Sequence, residues 1–309
     1  MRPQFPFLVS ASLAQKLAAI CAVSICCYAQ AQAPQSSATA ADCCTADALA
    51  KLASSVGFVD ILGAKLGMSP KDAIAAIHAS DPSVKLVVLN SELDMPSGGV
   101  SKVPRFLATI APPASDGSLD SVLMEFTTPP GAPVLARIYR KVQFPNGKPV
   151  AVPTLVQALE KKYGSELVVN SSYHEWIFQT NGQPVTHPLT GAAVACPTPS
   201  AGSGIVDVPP YNATPTQNYG QINLMYMSPG YETADLSSAC PPYVSVLAMV
   251  NGLPPGDPNG SAQSMVVVME SAGLLDYSHR ATLGWLQADQ AAKDQKAKAA
   301  AAAQKAPTL

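Results

Sequence analysis

The stretch Gly63–Ile77, reading GAKLGMSPKDAIAAI, decides the fold. Gly63 and Gly67 interrupt the chain on either side of Leu66. Ser69 stands immediately before Pro70, where its hydroxyl can accept a free amide of a first helical turn. Pro70 suits the first helical position, since its missing N–H is not needed there. Asp72, three residues after Ser69, can reach back in capping-box fashion and favours the positive helix end. Ala73, Ile74 and Ile77 come next at helical spacing and form one apolar face. Asp81-Pro82 ends the helix, because the residue before a proline leaves the α region. Such a short amphipathic helix is marginal alone and must lie on a neighbour.

Beyond this helix the chain takes on strand patterning. Val84–Leu89 is an apolar β-branched run, and Asn90–Val103, with Pro96 and Gly98-Gly99, is expected to be a loop. Phe106, Ala108 and Ile110 alternate, as do Val122, Met124 and Phe126, then Ala136, Ile138 and Val142. Asp116-Gly117 and Pro129-Pro130-Gly131 supply turns between them. A helix followed by an antiparallel meander is the result. The pattern then restarts. Thr154 to Gln157 reads as a second capping box after Pro153, and Leu155, Leu159 and Tyr163 give the apolar face. Gly164 is a helix terminator. His174, Trp176 and Phe178 share a strand face before the Asn181-Gly182 turn. Gln221–Met227, Tyr243–Val250 and Ser264–Glu270 are three further strands.

The expected fold class is therefore α+β, with two helix-plus-antiparallel-meander units in tandem and a C-terminal helix. The units span residues 56–148 and 149–272, the second holding the long loop Thr186–Asn218. Residues 273–309 form the last helix and an Ala/Lys-rich tail. Leu274, Tyr277, Ala281, Trp285 and Ala288 can dock as a stripe, and Asp289–Lys293 and Asp294–Lys298 are i, i+4 pairs on a tail with nothing to bury.

The other end reads as a targeting segment. Arg2 and Lys16 precede or open an apolar run, Leu17–Ala29, and Ala29-Gln30-Ala31 fits a small-x-small cleavage site. The run is shorter than the about 20 residues a membrane span needs. Cys21 and Cys26 each follow isoleucine, which excludes a lipidation signal. Residues 1–31 are thus expected to be a signal peptide and 32–55 a flexible linker, with Ala46–Ser55 able to form a turn or two of helix. The expected localisation is secreted or periplasmic. Removing Arg2 and Lys16 leaves 17 basic residues against 21 acidic ones, which gives no electrostatic footprint for nucleic acid or an anionic membrane. Of the cysteines, Cys43, Cys44, Cys196 and Cys240 stay in the mature chain. Three connectivities are open. Cys196–Cys240 is the expected disulfide, since a vicinal Cys43–Cys44 bond is strained and a bridge from either to the distant lobe is harder to justify. Its loop closure is worth roughly 4 kcal/mol in the chain-entropy picture. Cys43 and Cys44 pair with each other, pair between chains, or stay free.

Leu66-Gly67-Met68-Ser69-Pro70-Lys71-Asp72-Ala73 resembles the helix start of the SmpA/OmlA-like small outer-membrane lipoproteins. The tandem layout resembles the β-lactamase-inhibitor-like fold, which doubles a helix-plus-meander unit. Lys162-Tyr163-Gly164-Ser165-Glu166 is similar to the helix exit there. The resemblance implies a non-catalytic, protein-binding envelope module and carries over no site residue.

Residue chemistry agrees with a binding role. There is no phosphate-cradling glycine loop, G-x-S-x-G elbow, H-E-x-x-H or C-x-x-C. No metal or cofactor is expected: cysteine and histidine spacing is wrong for zinc, and Met225, Met227, Met265 and Met269 read as core filling rather than a copper stripe. His78 falls late on the first helix and His174 beside Trp176 reads as packed. His187 with Ser200 or Ser203 and Asp207 could assemble a hydrolase triad, a combination any chain of this size offers. Glu160, Glu166 and Glu175 fall on different elements, so no carboxylate pair is expected. Arg137, Tyr139 and Lys141 alternate on the outer face of one strand and could meet an acidic partner, although an ordinary solvated face has the same pattern. Tyr211, inside the long loop, and Tyr219, just past it, are the other binding candidates. The leading expectation is an exported protein-binding module. The rivals are a secreted hydrolase with its site in the second unit, and a small-ligand carrier with a pocket between the units.

Overall fold

The computed structural model describes residues 46–109, 113–166, 168–169, 173–185, 218–221, 243–254 and 257–304. The signal-peptide segment, Cys43, Cys44, Cys196, Cys240, His187, Ser200, Ser203, Asp207 and Tyr211 lie outside them. The described chain is α+β, mixing four helices with strands that are antiparallel almost throughout.

The decisive helix forms as its sequence demands. Helix α2 spans Pro70–Ser80, and the Ser69 hydroxyl oxygen accepts the Asp72 N–H at 3.2 Å. The same hydroxyl donates to the Asp72 carboxylate at 2.7 Å, so serine and aspartate lock one another. Asp81 closes the helix, its N–H donating to the Ile77 carbonyl at 2.8 Å. Ahead of it, α1 (Ala46–Ser55) buries Leu49, and a hairpin of β1 (Asp60–Ile61) and β2 (Ala64–Lys65) turns through Leu62 and Gly63, both at positive φ. Part of the expected linker is therefore a docked helix. Gly67 shows how closely: a Cβ there would stand 2.2 Å from the Ala53 carbonyl oxygen of α1, at φ +82°.

Strands β3 (Leu86–Asp94), β4 (Val100–Thr109), β5 (Leu119–Phe126) and β6 (Leu135–Gln143) form the first meander. The segment expected as a loop is mostly strand. Only Met95–Gly99 turns, with Gly98 and Gly99 at positive φ and the Met95 N–H donating to the Gly99 carbonyl at 3.0 Å. Pro104, which cannot donate, is accommodated because the register shifts between Leu89 and Asn90.

The second segment comprises β7 (Val150–Ala151), α3 (Val152–Tyr163), β8 (Val168–Val169), β9 (Tyr173–Gln179), β10 (Asn218–Gln221), β11 (Tyr243–Leu253), β12 (Ser261–Ser271) and α4 (Ala272–Ala303). Helix α3 starts earlier than its sequence suggests. Its N-cap is Ala151, without a side-chain bond, and Pro153 falls in the first turn, so Thr154 is not the cap. The strands of both segments belong to one sheet, in the order β10-β3-β4-β5-β6-β12-β11-β9-β8. The last strands of the two segments, β6 and β12, pair antiparallel near its middle. Strand β10 departs from the meander and pairs parallel with β3. Residues 222–227 of the strand expected there lie outside the described ones.

All four helices contribute to a core on one sheet face: Leu49, Ile77, Leu159, Leu274 and Tyr277 meet Met124, Ile138, Trp176, Val246 and Met269. A hydroxyl cluster pins α4 to the Pro129-Pro130 turn: the Thr282 hydroxyl donates to the Pro129 carbonyl at 2.7 Å, and Thr128 bonds Ser278. The tail is not wholly free. Asp289 accepts the Ser97 N–H at 2.6 Å and Lys293 donates to the Pro96 carbonyl at 2.6 Å, so both grip the β3–β4 turn instead of each other. Asp294 accepts from Gln290 at 2.8 Å. Ala288 is exposed and drops out of the docked stripe.

Candidate functional site

The opposite sheet face is buried as well. Val87, Leu89, Phe106, Ala108, Leu123, Tyr139, Leu247 and Val268 form a second apolar cluster. Phe106 and Ala108 therefore point away from the helices, and Leu107 takes the helix side. Alternation alone could not assign them, because apolar residues occupy both faces of β4.

A charged row crosses this second face. The strand register places Phe106 opposite Glu125, Glu125 opposite Arg137, Arg137 opposite Glu270 and Glu270 opposite Ser245. Arg137 Nε donates to Glu270 Oε2 at 2.7 Å and its Nη1 to Glu125 Oε2 at 3.2 Å. Arg105, delivered by the register shift at Pro104, donates to Glu125 Oε1. Glu125 thus holds two guanidinium groups. Burial alone would raise its carboxyl, but Arg105 and Arg137 together outweigh that and keep it below the ordinary range. The row is a matched set of buried charges, with both glutamate side chains only 4 % exposed.

Beside the row, Glu175 on β9 is different. It is 8 % exposed and its Oε1 has no hydrogen-bond partner among the described residues. Burial first, and the negative charge of Glu270 second, push its carboxyl from 4.5 up to about 7. Glu175 on β9 and Glu270 on β12, 95 positions apart in sequence, have β11 between them, and the Glu270 charge acts across that strand. Glu166, by contrast, is engaged by His174 Nδ1 at 2.5 Å. Trp176 stacks near His174 and donates its indole N–H to the Gly164 carbonyl at 2.7 Å, which accounts for His174 as a packed side chain.

The candidates named from sequence fare unequally. Arg137 and Tyr139 do lie opposite the helices, but they are buried, at 8 % and 4 % exposure. Arg137 is consumed by Glu125 and Glu270, and burial pushes the Tyr139 phenol up. The expected free, solvated face does not exist there, because that side of the sheet carries its own core. Lys141 is exposed. Tyr219 falls in β10, while Tyr211, Cys196 and Cys240 lie outside the described residues. Sequence reasoning missed Arg105, Glu125 and Glu270 and set Glu175 aside. For Glu125 and Glu270 the signal was a lone charge inside an apolar strand, as in Val122–Phe126 (VLMEF) or Met265–Ser271 (MVVVMES).

A cavity of about 190 Å³ lies where the two segments meet, between Ile61 and Arg140 of the first and Leu155, Leu159 and Tyr163 of the second. Among the described residues no group of three His, Cys, Asp or Glu side chains could hold a metal ion, and no helix is long and apolar enough to cross a membrane. Comparison with known protein families, with curated proteins and with solved structures finds no match.

Proposed function

We propose that this chain is an exported, non-catalytic α+β module that binds another protein of the cell envelope or outside the cell. The observation behind the non-catalytic part of this reading is the matched charge row, while export and protein binding rest on the sequence. Arg105, Arg137, Glu125 and Glu270 satisfy one another within the sheet, a use of ionic groups that fixes strand register rather than presenting reactive ones. Two further features support it. The Leu66–Ala73 stretch that resembles the SmpA/OmlA-like lipoproteins does open a helix, and the antiparallel meeting of β6 and β12 suits a duplicated unit. On the sheet face the candidate left exposed is Lys141 of β6, and the Thr186–Asn218 loop, whose residues 186–217 lie outside the described ones, is the other candidate surface. Affinity capture from the native envelope fraction with gentle crosslinking tests the reading. A specific partner, captured less by the Lys141→Glu chain, is expected; recovery of none overturns it. N-terminal sequencing of the mature chain is expected to begin near Gln32, and a start at Met1 removes the exported assignment.

Glu175 favours a second reading, a secreted hydrolase of the second segment. A buried carboxyl that holds its proton up to about pH 7 has the proton affinity of a general acid. Turnover of ester or glycoside substrates that is lost in Glu175→Gln supports it. Turnover that survives the substitution excludes Glu175 as the acid.

A further inference from the structure

The end of the sheet where β12 outruns β6 holds a pocket that neither reading uses. Strand β12 pairs with β6 up to Ser264 and with β7 from Ala262, both on the same edge. Between β6 and β7 the chain cannot stay in the sheet, because residues 144–149 include Pro145 and Pro149. It arches away and leaves a cavity of about 310 Å³ against Ser261 and Gln263. The arch is held firmly. Phe144 N–H donates to the Gln263 carbonyl at 2.9 Å, Asn146 N–H to the Asp116 carbonyl at 2.9 Å, and Lys148 N–H to the Pro145 carbonyl at 3.0 Å. Phe144 packs on Val152, Val250 and Ala262, which fixes its ring. Gly117, at φ +81°, makes room for the Asn146 carboxamide, since a Cβ there would stand 2.3 Å from Nδ2.

The lining chemistry is specific in kind. Gln143, Asn146 and Gln263 contribute three carboxamides, Ser261 a hydroxyl and Phe144 an aromatic ring, and no ionisable side chain among the described residues lines the cavity. None of the three carboxamides makes a side-chain hydrogen bond among the described residues, and Gln143 and Gln263 are exposed. A carboxamide both donates and accepts, as does a sugar hydroxyl, and uncharged partners suit an uncharged ligand. An aromatic ring suits the C–H face of a pyranose. The volume is at the small end for ligand pockets, about 300 Å³ and upward, so it fits a single ring better than a long chain. We infer that this pocket binds a neutral saccharide through Gln143, Asn146, Gln263, Ser261 and Phe144. Such binding would hold the module against a glycan while its protein partner occupies another surface.

Saturation-transfer NMR on the full chain, with D-glucose, D-galactose, N-acetyl-D-glucosamine and cellobiose as probes, tests the inference. Transfer to at least one sugar is expected, with affinity falling about tenfold in Gln263→Ala and similarly in Gln143→Ala, the loss of one ligand hydrogen bond each. Both positions are exposed, and circular dichroism confirms that each variant is folded. No transfer to any of the four sugars on folded protein overturns the inference, as does binding that both substitutions leave unchanged. A chain that captures its protein partner but binds no sugar overturns this inference alone.

Discussion

Replacing Glu175 by glutamine probes the buried face most directly. The Glu175 carboxyl, ordinarily at 4.5, is held at about 7 by burial and then by Glu270. In the unfolded chain it gives up its proton near the ordinary value. Between those two pH values the folded state binds more protons than the unfolded one, so stability falls as pH rises. Below that window both states keep the proton and the group costs nothing. Above about pH 7 the cost is complete, and at about 1.4 kcal/mol per pH unit it amounts to about 3 kcal/mol. Glutamine keeps the shape and carries no charge, so the E175Q chain escapes the cost. Urea unfolding at a series of pH values is the assay. The wild-type and E175Q curves should nearly coincide near about pH 4 and separate steadily, with E175Q more stable by about 3 kcal/mol near about pH 8. With a urea slope of about 1–3 kcal/mol per molar, the midpoints then differ by about 1 M or more. Taking the difference between the chains cancels Asp60, Asp81, Asp116 and Glu125, whose lowered carboxyls weaken both chains alike in acid. A constant difference across the window, or one that opens with wild type the more stable, refutes the placement of Glu175 as a buried, unpartnered acid beside Glu270.

Three further outcomes are expected of the same structure. Glu125→Ala strands Arg105 against a buried face and leaves Arg137 with Glu270, and should cost about 3–5 kcal/mol in denaturant unfolding at neutral pH; a loss under about 1 kcal/mol would mean the row is solvated. The lowered Glu125 carboxyl contributes stability above its unfolded value of 4.5 that is lost as pH falls, so the effect of the substitution should shrink in acid. Ser69→Ala removes the α2 cap and should cost about 1 kcal/mol, read as a drop in thermal midpoint; no drop would show that the Asp72 contact is dispensable. Gly67→Ala forces a side chain against the Ala53 carbonyl at positive φ, and calorimetry should find it destabilising by more than about 1 kcal/mol, while Gly147→Ala, with open space around it, should cost less.

Much of the chain was legible because its signals are local. Ser69, Pro70 and Asp81-Pro82 bound α2 by capping and backbone sterics that need no partner, and Asn181-Gly182 turns where expected. The errors have local causes too. Thr154 looks like a cap, but β7 pairing with β12 starts the helix at Val152 instead. The turn glycines at 98 and 99 suggest a whole loop, although alternation continues on both sides of them. The candidate site was almost illegible. Alternation puts Arg137 on its correct strand face but says nothing of its environment, since exposure depends on what the other strands put beside it.

By itself the sequence determined the elements: an α+β chain, helix α2 and its ends, the strand positions of Val122–Phe126 and Ala136–Ile138, and a helix from about Leu274 onward. Tertiary structure decided what those elements meet. It joined two segments into one sheet through β6 and β12, buried both faces, and set Glu125, Arg137 and Glu270 side by side with Glu175 beyond β11. The physical reason is range. Capping, proline sterics and side-chain periodicity act within a few residues, whereas a buried charge is stable or costly according to partners from other strands, and register between distant strands is written in no single stretch of the chain.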